Sequence, residues 1–213
     1  AEKAPDVLAI FAGPKQAIMA VKTLDAQKKK PQIVTSFVLS DPLMFKLAGE
    51  SWEGTVTSAV MKTIDEDDES VKLYLEVVKK YGGGKLPPGT FSMAGFAFAM
   101  PFTEALQRAG KDLTREKLYA ALNGLNNYKG AGPHWKGESL GPPITFSKDK
   151  RLGADQIFIA KAKAGKWEKV TGWLSLDGGA DNLQAADKKG DAKQDDAKKA
   201  DEKGAKPPKQ PKK

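Results

Sequence analysis

The sequence predicts an α/β fold with parallel strands, on three observations. The run from Asp6 to Phe11 is short and almost entirely apolar, as in a strand buried on both faces. Ala12-Gly13-Pro14 then interrupts it, and Pro14 suits a first helical turn. From Lys15 to Lys29, apolar residues recur at helical spacing. Since ligands of open α/β sheets bind beyond the carboxyl ends of the strands, Ala12-Gly13 is the first candidate ligand contact.

Two strands and a short helix follow this first unit. Gln32 to Phe37 is predicted as a second strand that ends in small polar residues. Asp41 is a suitable N-cap, with Pro42 at the first helical position, for a helix from Leu43 to Leu47 that Gly49 closes. Thr55 to Val60 alternates and is rich in β-branched residues, which predicts a third strand.

The middle of the chain is predicted to be helical. An acidic loop, Asp65 to Glu69, precedes an amphipathic helix from Ser70 to Tyr81, which Gly82-Gly-Gly84 stops. Thr90 to Ala109 is the most apolar helix, and its pattern predicts that it begins buried and emerges at the surface near its end. Thr114 opens a further helix that ends at Gly124.

The last ordered element is predicted to be a β-hairpin. Asp155 to Ala162 and Lys166 to Trp173 have strand character, and Ala164-Gly165 between them is a turn signal. Beyond Leu176 the pattern ends, and residues 177–213 are predicted to form a disordered tail.

Composition excludes several kinds of site. The chain has no cysteine, which rules out disulfides, thiolate metal sites and cysteine nucleophiles. No apolar run approaches the roughly 20 residues of a membrane-spanning helix. Much of the net charge of +8 lies in Asp187 to Lys213, which contains no large apolar residue, so we favour a solvated tail over a specific nucleic-acid-binding arm. The opening Ala1 without a leader pattern favours a processed product or a fragment.

Three features that resemble catalytic or metal sites have simpler explanations. His134 is the single histidine, and no Gly-x-Ser-x-Gly elbow accompanies it. Gly82-Gly-Gly-Lys85 lacks the remaining residues of a phosphate-binding loop and follows a helix. The Asp65 to Glu69 cluster lacks the ligand alternation of a calcium loop and suits a solvated helix start. We therefore expect no enzyme activity, metal or cofactor.

Three aromatic residues stand at the ends of predicted elements. Phe11, Phe37 and Phe91 lie beside small or polar neighbours, among them Gly13 and Thr35-Ser36. Each alone is more typical of a core residue. Together, aromatic walls with a few backbone and hydroxyl groups are the ingredients of a small-molecule cleft.

The order of several segments resembles a known family. Ala105 to Leu122, followed by Leu140 to Asp149, resembles the C-terminal half of branched-chain amino-acid-type substrate-binding proteins. These are type I periplasmic binding proteins that serve ABC importers. Segments similar to earlier family segments occur in the same order, so that the resemblance runs from Pro5 to Trp173: the strand to Phe11, the Pro14 helix, Leu47 to Glu50 and Trp52 to Gly54.

The resemblance implies two Rossmann-like α/β lobes joined by a hinge, with the ligand enclosed between them. The family's N-terminal half has no counterpart here, so both lobes would be incomplete. Residues 1–51 would belong to the second lobe, 52–153 to the first, and 154–176 would return to the second as a C-terminal hairpin. The hinge crossings would fall at Trp52, Glu53 and Gly54, and at Leu152 and Gly153.

The resemblance also implies a set of cleft contacts. They fall on Phe11, Ala12, Gly13, Thr35, Ser36, Phe37 and Phe91. Phe91 keeps the aromatic character of the family pocket, whereas amino-acid-binding members tend to carry Glu at the position of Phe37. Without that carboxylate, a buried ligand ammonium would lack a partner, at a cost of several kcal/mol. The hypothesis is therefore a more apolar or aromatic ligand, such as a carboxylic acid, rather than an α-amino acid.

The function that follows is an exported, periplasmic or cell-surface solute-binding protein. Its partners would be a small-molecule ligand and an ABC permease, and it would be a monomer or weak dimer. One alternative is a ligand-sensing receptor or regulator of the same fold. Two others are an α/β enzyme, disfavoured by the missing nucleophile and metal constellations, and a polyanion-binding protein that acts through its tail.

Overall fold

A computed structural model describes residues 5–130 and 139–176 of the chain. His134 and the predicted tail at 177–213 lie outside the described residues. Six strands are present in the described ranges: β1 (Val7–Ile10), β2 (Gln32–Thr35), β3 (Val56–Ala59), β4 (Gln156–Lys163), β5 (Lys166–Lys169) and β6 (Leu174–Ser175). The same ranges contain five α-helices: α1 (Pro14–Ala26), α2 (Leu43–Ala48), α3 (Glu69–Tyr81), α4 (Thr90–Ala109) and α5 (Arg115–Asn123). Two 3-10 helices, Phe37–Leu39 and Gly49–Trp52, flank α2.

The strands form one mixed sheet in the order β1-β2-β3-β4-β5, with β6 paired to β4. β1, β2 and β3 are parallel, whereas β4 is antiparallel to both β3 and β5. Ile10 pairs with Thr35, and Thr35 pairs with Thr57. The carboxyl ends of the three parallel strands therefore lie at one edge of the sheet. The predicted α/β fold is confirmed.

Local signals in the sequence explain where the helices begin. Pro14 occupies the first turn of α1, where its missing N–H leaves no hydrogen bond unmade. The Asp68 side chain accepts hydrogen bonds from the amides of Ser70 and Val71 and caps α3. The Thr114 side chain accepts from the Lys117 amide at the start of α5. The acidic loop is thus a helix start, as predicted.

The buried apolar residues form two separate cores. The first core joins the sheet to α1 and α2, and includes Trp52, Phe158 and Trp167. The second core joins α3 and α4 through Val71, Tyr74, Val78 and Met93, with Leu140 from the later loop. The chain thus crosses from the sheet to a helical unit and returns.

Two expectations about burial differ from the structure. β1 is not buried on both faces, because Val7 and Ala9 on one face are exposed, whereas Ile10 on the other face is buried. α4 does not begin buried, because Phe91 in its first turn is exposed. β3 continues the sheet of the first core, so residues 56–59 lie with residues 1–51 rather than with the helical unit. The chain leaves the first core only after Ala59. The finer lobe boundaries stay a prediction.

Candidate functional site

The predicted ligand-contacting turn lies at the carboxyl edge of the parallel strands. Phe11 directly follows β1 and is 80% exposed, while Ala12 and Gly13 are partly exposed at the start of α1. Gly13 has extended backbone angles and precedes Pro14, so β1 ends and α1 begins within three residues. This edge therefore offers an accessible aromatic ring beside the amino terminus of a helix.

Of the predicted ligand contacts at the end of β2, Thr35 is buried and Phe37 is exposed. Thr35 is buried, and its hydroxyl donates to the carbonyl of Val56 at 3.4 Å. The carbonyl of Ser36 accepts from the hydroxyl of Thr57 at 3.0 Å. These bonds tie β2 to β3, so the Thr35 hydroxyl is already used within the sheet. Phe37 is exposed and begins a 3-10 turn. The sequence had predicted it as the last residue of the strand.

The amino terminus of α4 reaches this edge from the second core. The Ser40 hydroxyl lies 3.4 Å from the Thr90 hydroxyl and donates to the carbonyl of Phe37 at 2.7 Å. Phe91 adjoins Thr90 and is exposed. The Ser40–Thr90 contact therefore brings the segment after Phe37 close to the start of α4, where Phe91 lies. A ligand cleft at this place stays a prediction.

Gly89 and Asp41 form a second contact between the two units. A Cβ on Gly89 would lie 2.7 Å from Oδ2 of Asp41, so only glycine permits this approach without displacement of the carboxylate. Oδ1 of Asp41 accepts from the Leu43 amide at 2.9 Å, the bond expected from its predicted N-cap position. A carboxylate at a helix amino terminus is favourable because of the helix dipole. Asp41 thus accepts a hydrogen bond at the start of α2 and lies close to Gly89, which precedes α4.

Tyr74 holds the start of α4 in place, a role that the sequence analysis missed. Its buried hydroxyl accepts from the Gly89 amide at 3.2 Å and contacts the hydroxyl of Ser92. Its ring packs edge-on against Phe96 at 5.2 Å between centroids. Tyr74 lies on the apolar face of α3, where the pattern signals only burial. No local signal in the sequence points to the hydrogen bonds.

The predicted crossing at Trp52, Glu53 and Gly54 lies beside the sheet hairpin. Trp52 is fully buried in the first core. A Glu53 carboxylate oxygen accepts from the Ala164 amide at 3.0 Å, and the Gly54 amide donates to Ala162 at 2.9 Å. These bonds fix the segment to β4, so the passage between the two cores is at Val60 to Lys62. The predicted lobe crossing at Trp52, Glu53 and Gly54 stays a prediction.

The second predicted crossing lies immediately before β4. Leu152 is exposed, and Gly153 accepts from the Thr145 amide at 2.9 Å. A Cβ on Gly153 would lie 2.5 Å from the Phe146 ring, which explains the glycine at this close approach. A hinge function for either segment stays a prediction.

A groove of about 480 Å³ lies at the opposite end of the sheet. The end of α1, the start of β2 and the Gly49–Trp52 turn line it, with charged groups of both signs that include Asp25 and Lys29. Because Gln32 begins β2 and Thr35 ends it, this groove is remote from the predicted cleft. The candidate site stays a prediction at the carboxyl edge, where β1 and β2 end.

The part of the chain that the structure describes was also searched for a metal site and for a membrane-spanning helix. No group of three or more histidine or carboxylate side chains there is arranged to hold a metal ion. In the same ranges, no helix combines the length and apolar character needed to cross a bilayer.

Comparison with known proteins identifies the fold. A family profile described as periplasmic binding protein matches residues 1–166. No curated protein matches the chain in a sequence comparison. A solved branched-chain amino acid ABC transporter protein from Thermus thermophilus, with bound valine, is 24% identical with a TM-score of 0.68, over 80% of this chain and 46% of that one.

Two further solved structures are similar. A leucine-binding protein from Thermotoga maritima is 17% identical with a TM-score of 0.61, over 81% of this chain and 45% of that one. A fatty acid ABC transporter substrate-binding protein from Thermomonospora curvata is 26% identical with a TM-score of 0.62, over 79% and 42%. The chain therefore spans less than half the length of these relatives. With the family profile matched over most of its sequence, the chain belongs to the periplasmic binding protein family.

Proposed function

We propose that the chain is part of an exported solute-binding protein that captures a small organic ligand between two lobes and delivers it to an ABC importer. The observation that carries this proposal is the approach of α4 to the carboxyl edge of the parallel strands. There, the Ser40 and Thr90 hydroxyls lie 3.4 Å apart, and the nearby chain positions Phe37 and Phe91 are both exposed. Family membership supports the transport role and the exported location.

The ligand we propose is an apolar or aromatic carboxylic acid. Phe11, Phe37 and Phe91 all expose their rings at this edge and would provide apolar walls. The backbone at Ala12, Gly13 and Ser36 would supply hydrogen-bonding groups. Asp41 is the nearby carboxylate, but it already accepts from the Leu43 amide and lies against the start of α4. A ligand ammonium would therefore compete with contacts that the fold uses.

One relative supports this ligand class. The Thermomonospora curvata protein, named as a fatty acid substrate-binding protein, shares 26% of aligned residues with this chain. A fatty acid combines a long apolar body with a single carboxylate and carries no ammonium. That chemistry matches walls built from phenylalanine better than an amino-acid ligand does.

Closure would depend on movement between the two cores. The chain passes between them at Val60 to Lys62 and returns before Gln156, and these segments together with the predicted crossings are the proposed hinge. A ligand that contacts both Phe37 and Phe91 would favour the closed arrangement, because it binds the two units together.

Calorimetry on the full-length protein tests the ligand class. We expect octanoate or benzoate to bind and leucine to bind at least ten-fold more weakly. Phe37→Glu should weaken binding of the acid at least ten-fold, because it places an anion beside the ligand carboxylate. Tyr81→Glu, at an exposed position on α3, is the matched control and should leave binding unchanged. Tight leucine binding, or equal binding by the two variants, would contradict the proposal.

A further inference from the structure

Two neighbouring residue pairs connect the unit built on the first core with the unit built on the second core. The Ser40 hydroxyl lies 3.4 Å from the Thr90 hydroxyl. Beside this pair, a Cβ on Gly89 would lie 2.7 Å from Oδ2 of Asp41, so the Gly89 backbone lies directly against the carboxylate. Ser40 and Asp41 precede α2 of the first unit, whereas Gly89 and Thr90 begin α4 of the second. We call these two pairs the inter-unit contact.

The backbone of Gly89 does not itself require glycine. Its φ and ψ angles are 177° and 178°, which is extended backbone that any residue adopts. The three heavy atoms nearest to a Cβ at this position are Oδ2, Cγ and Oδ1 of Asp41, at 2.7, 3.3 and 3.3 Å. The neighbour that excludes a side chain at position 89 is therefore a residue of the other unit.

Gly89 is fixed in place from within its own unit. The buried Tyr74 hydroxyl accepts from the Gly89 amide at 3.2 Å and lies 3.3 Å from the Gly89 carbonyl. The Ser92 hydroxyl contacts that of Tyr74 and donates to the Pro87 carbonyl at 3.0 Å. Because one buried side chain holds both polar groups of its backbone, Gly89 cannot withdraw from Asp41 without breaking hydrogen bonds.

The opposing surface in the first unit is fixed as well. Oδ1 of Asp41 accepts from the Leu43 amide at 2.9 Å, so rotation of the carboxylate would break this bond. The Ser40 carbonyl accepts from the Trp167 indole N–H at 2.7 Å, and the Ser40 hydroxyl donates to the Phe37 carbonyl. The approach of two fixed surfaces ends at van der Waals contact, since closer atoms repel one another.

We propose that the inter-unit contact is a stop that limits how closely the two units approach, and that glycine at position 89 thereby sets the width of the cleft. This inference rests on the proposed function, in which a ligand is enclosed between the units. Phe37 lies four positions before Asp41, and Phe91 lies two positions after Gly89. Both predicted ligand contacts are thus carried by the surfaces that meet at the stop. A side chain at position 89 would hold these surfaces apart and leave the ligand less well enclosed.

The helix position of Gly89 offers an alternative explanation for the glycine. Gly89 directly precedes α4, where glycine is favoured over alanine. Serine is also favoured at this position, although it carries a Cβ. A capping preference therefore accepts serine and does not depend on Asp41, whereas a stop excludes serine and requires the carboxylate. The two explanations predict opposite results for these substitutions.

Calorimetry with octanoate on the full-length protein compares the variants. We expect Gly89→Ala and Gly89→Ser each to weaken binding at least ten-fold. Asp41→Ser removes both carboxylate oxygens and keeps a hydroxyl for the Leu43 amide, so Gly89→Ala combined with it should bind about as well as Asp41→Ser alone. Gly95→Ala is the matched control on α4, because a Cβ there meets no atom within 4 Å, and it should leave binding unchanged.

A distance measurement tests the stop without a ligand. Nitroxide labels at Met19→Cys and Tyr81→Cys, exposed positions on α1 and α3, report the separation of the two units by double electron–electron resonance. We expect Gly89→Ala to shift the mean distance by about 1 Å or more, because its Cβ must move from 2.7 Å to an ordinary contact of about 3.5 Å. Adding Asp41→Ser should reverse the shift. If Gly89→Ala does not fold, Gly89→Ser takes its place in both measurements.

The two measurements distinguish a failure of this inference from a failure of the proposed function. A distance shift that Asp41→Ser reverses, in a protein that binds neither octanoate nor benzoate, would support the stop and contradict the proposed ligand class. An unchanged distance in the Gly89 variants would overturn the stop. A shift or a loss of affinity that persists when Asp41→Ser is added would also overturn it, because the effect would then lie within α4.

Discussion

Lys62 and Asp68 form an ion pair where the chain enters the second core. The Lys62 ammonium lies 2.8 Å from Oδ2 of Asp68 and 3.1 Å from the Ser70 hydroxyl, with only 9% of the lysine side chain exposed. Partial burial alone would raise the pKa of Asp68, but hydrogen bonds from Lys62 and Ser70 outweigh it and lower that pKa to about 2. The same carboxylate caps α3. One side chain therefore serves both the helix start and the buried ammonium.

We expect Asp68→Asn to reduce the free energy of unfolding by about 2 kcal/mol at pH 7. Asparagine keeps the cap but leaves Lys62 without a counter-ion. Since the folded pKa of Asp68 lies below its unfolded value, the wild-type advantage is present above about pH 4 and is lost as pH falls through about 2. Urea denaturation of both proteins across this range measures the difference. A difference that stays constant with pH would contradict the assignment.

At the residue scale, the sequence predicted local roles, such as helix capping, better than it predicted contacts with residues far along the chain. The acidic cluster before α3 was predicted to be a helix start, and Asp68 confirms it. Lys62 gave no signal, because its burial depends on a contact between the Lys62 amide and the Leu140 carbonyl far along the chain. Thr35 was a candidate ligand contact, yet its hydroxyl bonds to β3. Which strand lies beside another cannot be read from local residue types.

The turn of the β4–β5 hairpin places an alanine, Ala164, at a position with a positive φ angle. Ala164 and Gly165 have φ angles of 50° and 76°, as a two-residue hairpin turn requires. Gly165 adopts such angles freely, whereas alanine is strained in this region by about 1 kcal/mol. The predicted hairpin is therefore present with one unfavourable turn residue.

We expect Ala164→Asn to raise the free energy of unfolding by about 0.5 to 1 kcal/mol, because asparagine tolerates positive φ better. Thermal denaturation measures the shift. Gly165→Ala is the control at the adjacent position and should be destabilising, since it adds a second strained residue. An unchanged melting temperature for Ala164→Asn would show that the turn relaxes around alanine.

At the element scale, periodicity located the strands and helices but not what covers them. The predicted helix from Thr90 to Ala109 coincides with α4, because its apolar pattern is strong over twenty residues. Its predicted burial at the start was wrong, since Phe91 is exposed. β1 shows the same kind of error. The hydrophobic pattern of a segment shows which of its surfaces is apolar. Whether that surface is buried depends on which other element packs against it.

An ion pair joins the two units of the molecule as a whole. Lys169 on β5 lies 2.7 Å from Oε2 of Glu66, in the loop that precedes α3. Its ammonium also lies 4.5 Å from the centroid of the Phe158 ring, whose face attracts cations. Oε1 of Glu66 accepts from the Thr63 amide at 2.7 Å. These contacts restrain the loop against the sheet.

We expect Lys169→Met to destabilise the protein by up to about 1 kcal/mol at low ionic strength. The methionine keeps an apolar stem against Phe158, so the change removes the charge. The effect should shrink in about 1 M salt, where the Debye length is about 3 Å. Lys163→Met, which breaks an exposed pair with Glu168 on the same hairpin, is the control and should show no measurable change. Equal effects of the two variants would argue against a special role for Lys169.

For the whole molecule, the resemblance supplied the architecture that pattern could not. The family and the α/β class are confirmed, whereas the hinge crossings stay predictions. The resemblance alone implied the crossing at Trp52 to Gly54, and in the structure the Gly54 amide of this segment donates to the Ala162 carbonyl of β4. Where the chain crosses between the two cores depends on contacts between residues far apart in sequence, which local residue types do not show.

The pairing of β3 with β4 also sets the order in which the chain assembles. Thr57 pairs with Ala160, across about 100 intervening residues, whereas β1 and β2 are joined through α1 alone. The entropy of closing a loop rises with its length, and distant pairings slow folding. On a ribosome, the three parallel strands would therefore emerge with one edge of β3 unpaired until the hairpin is synthesised. During that interval this edge of β3 is open, and a chaperone would meet it in that state.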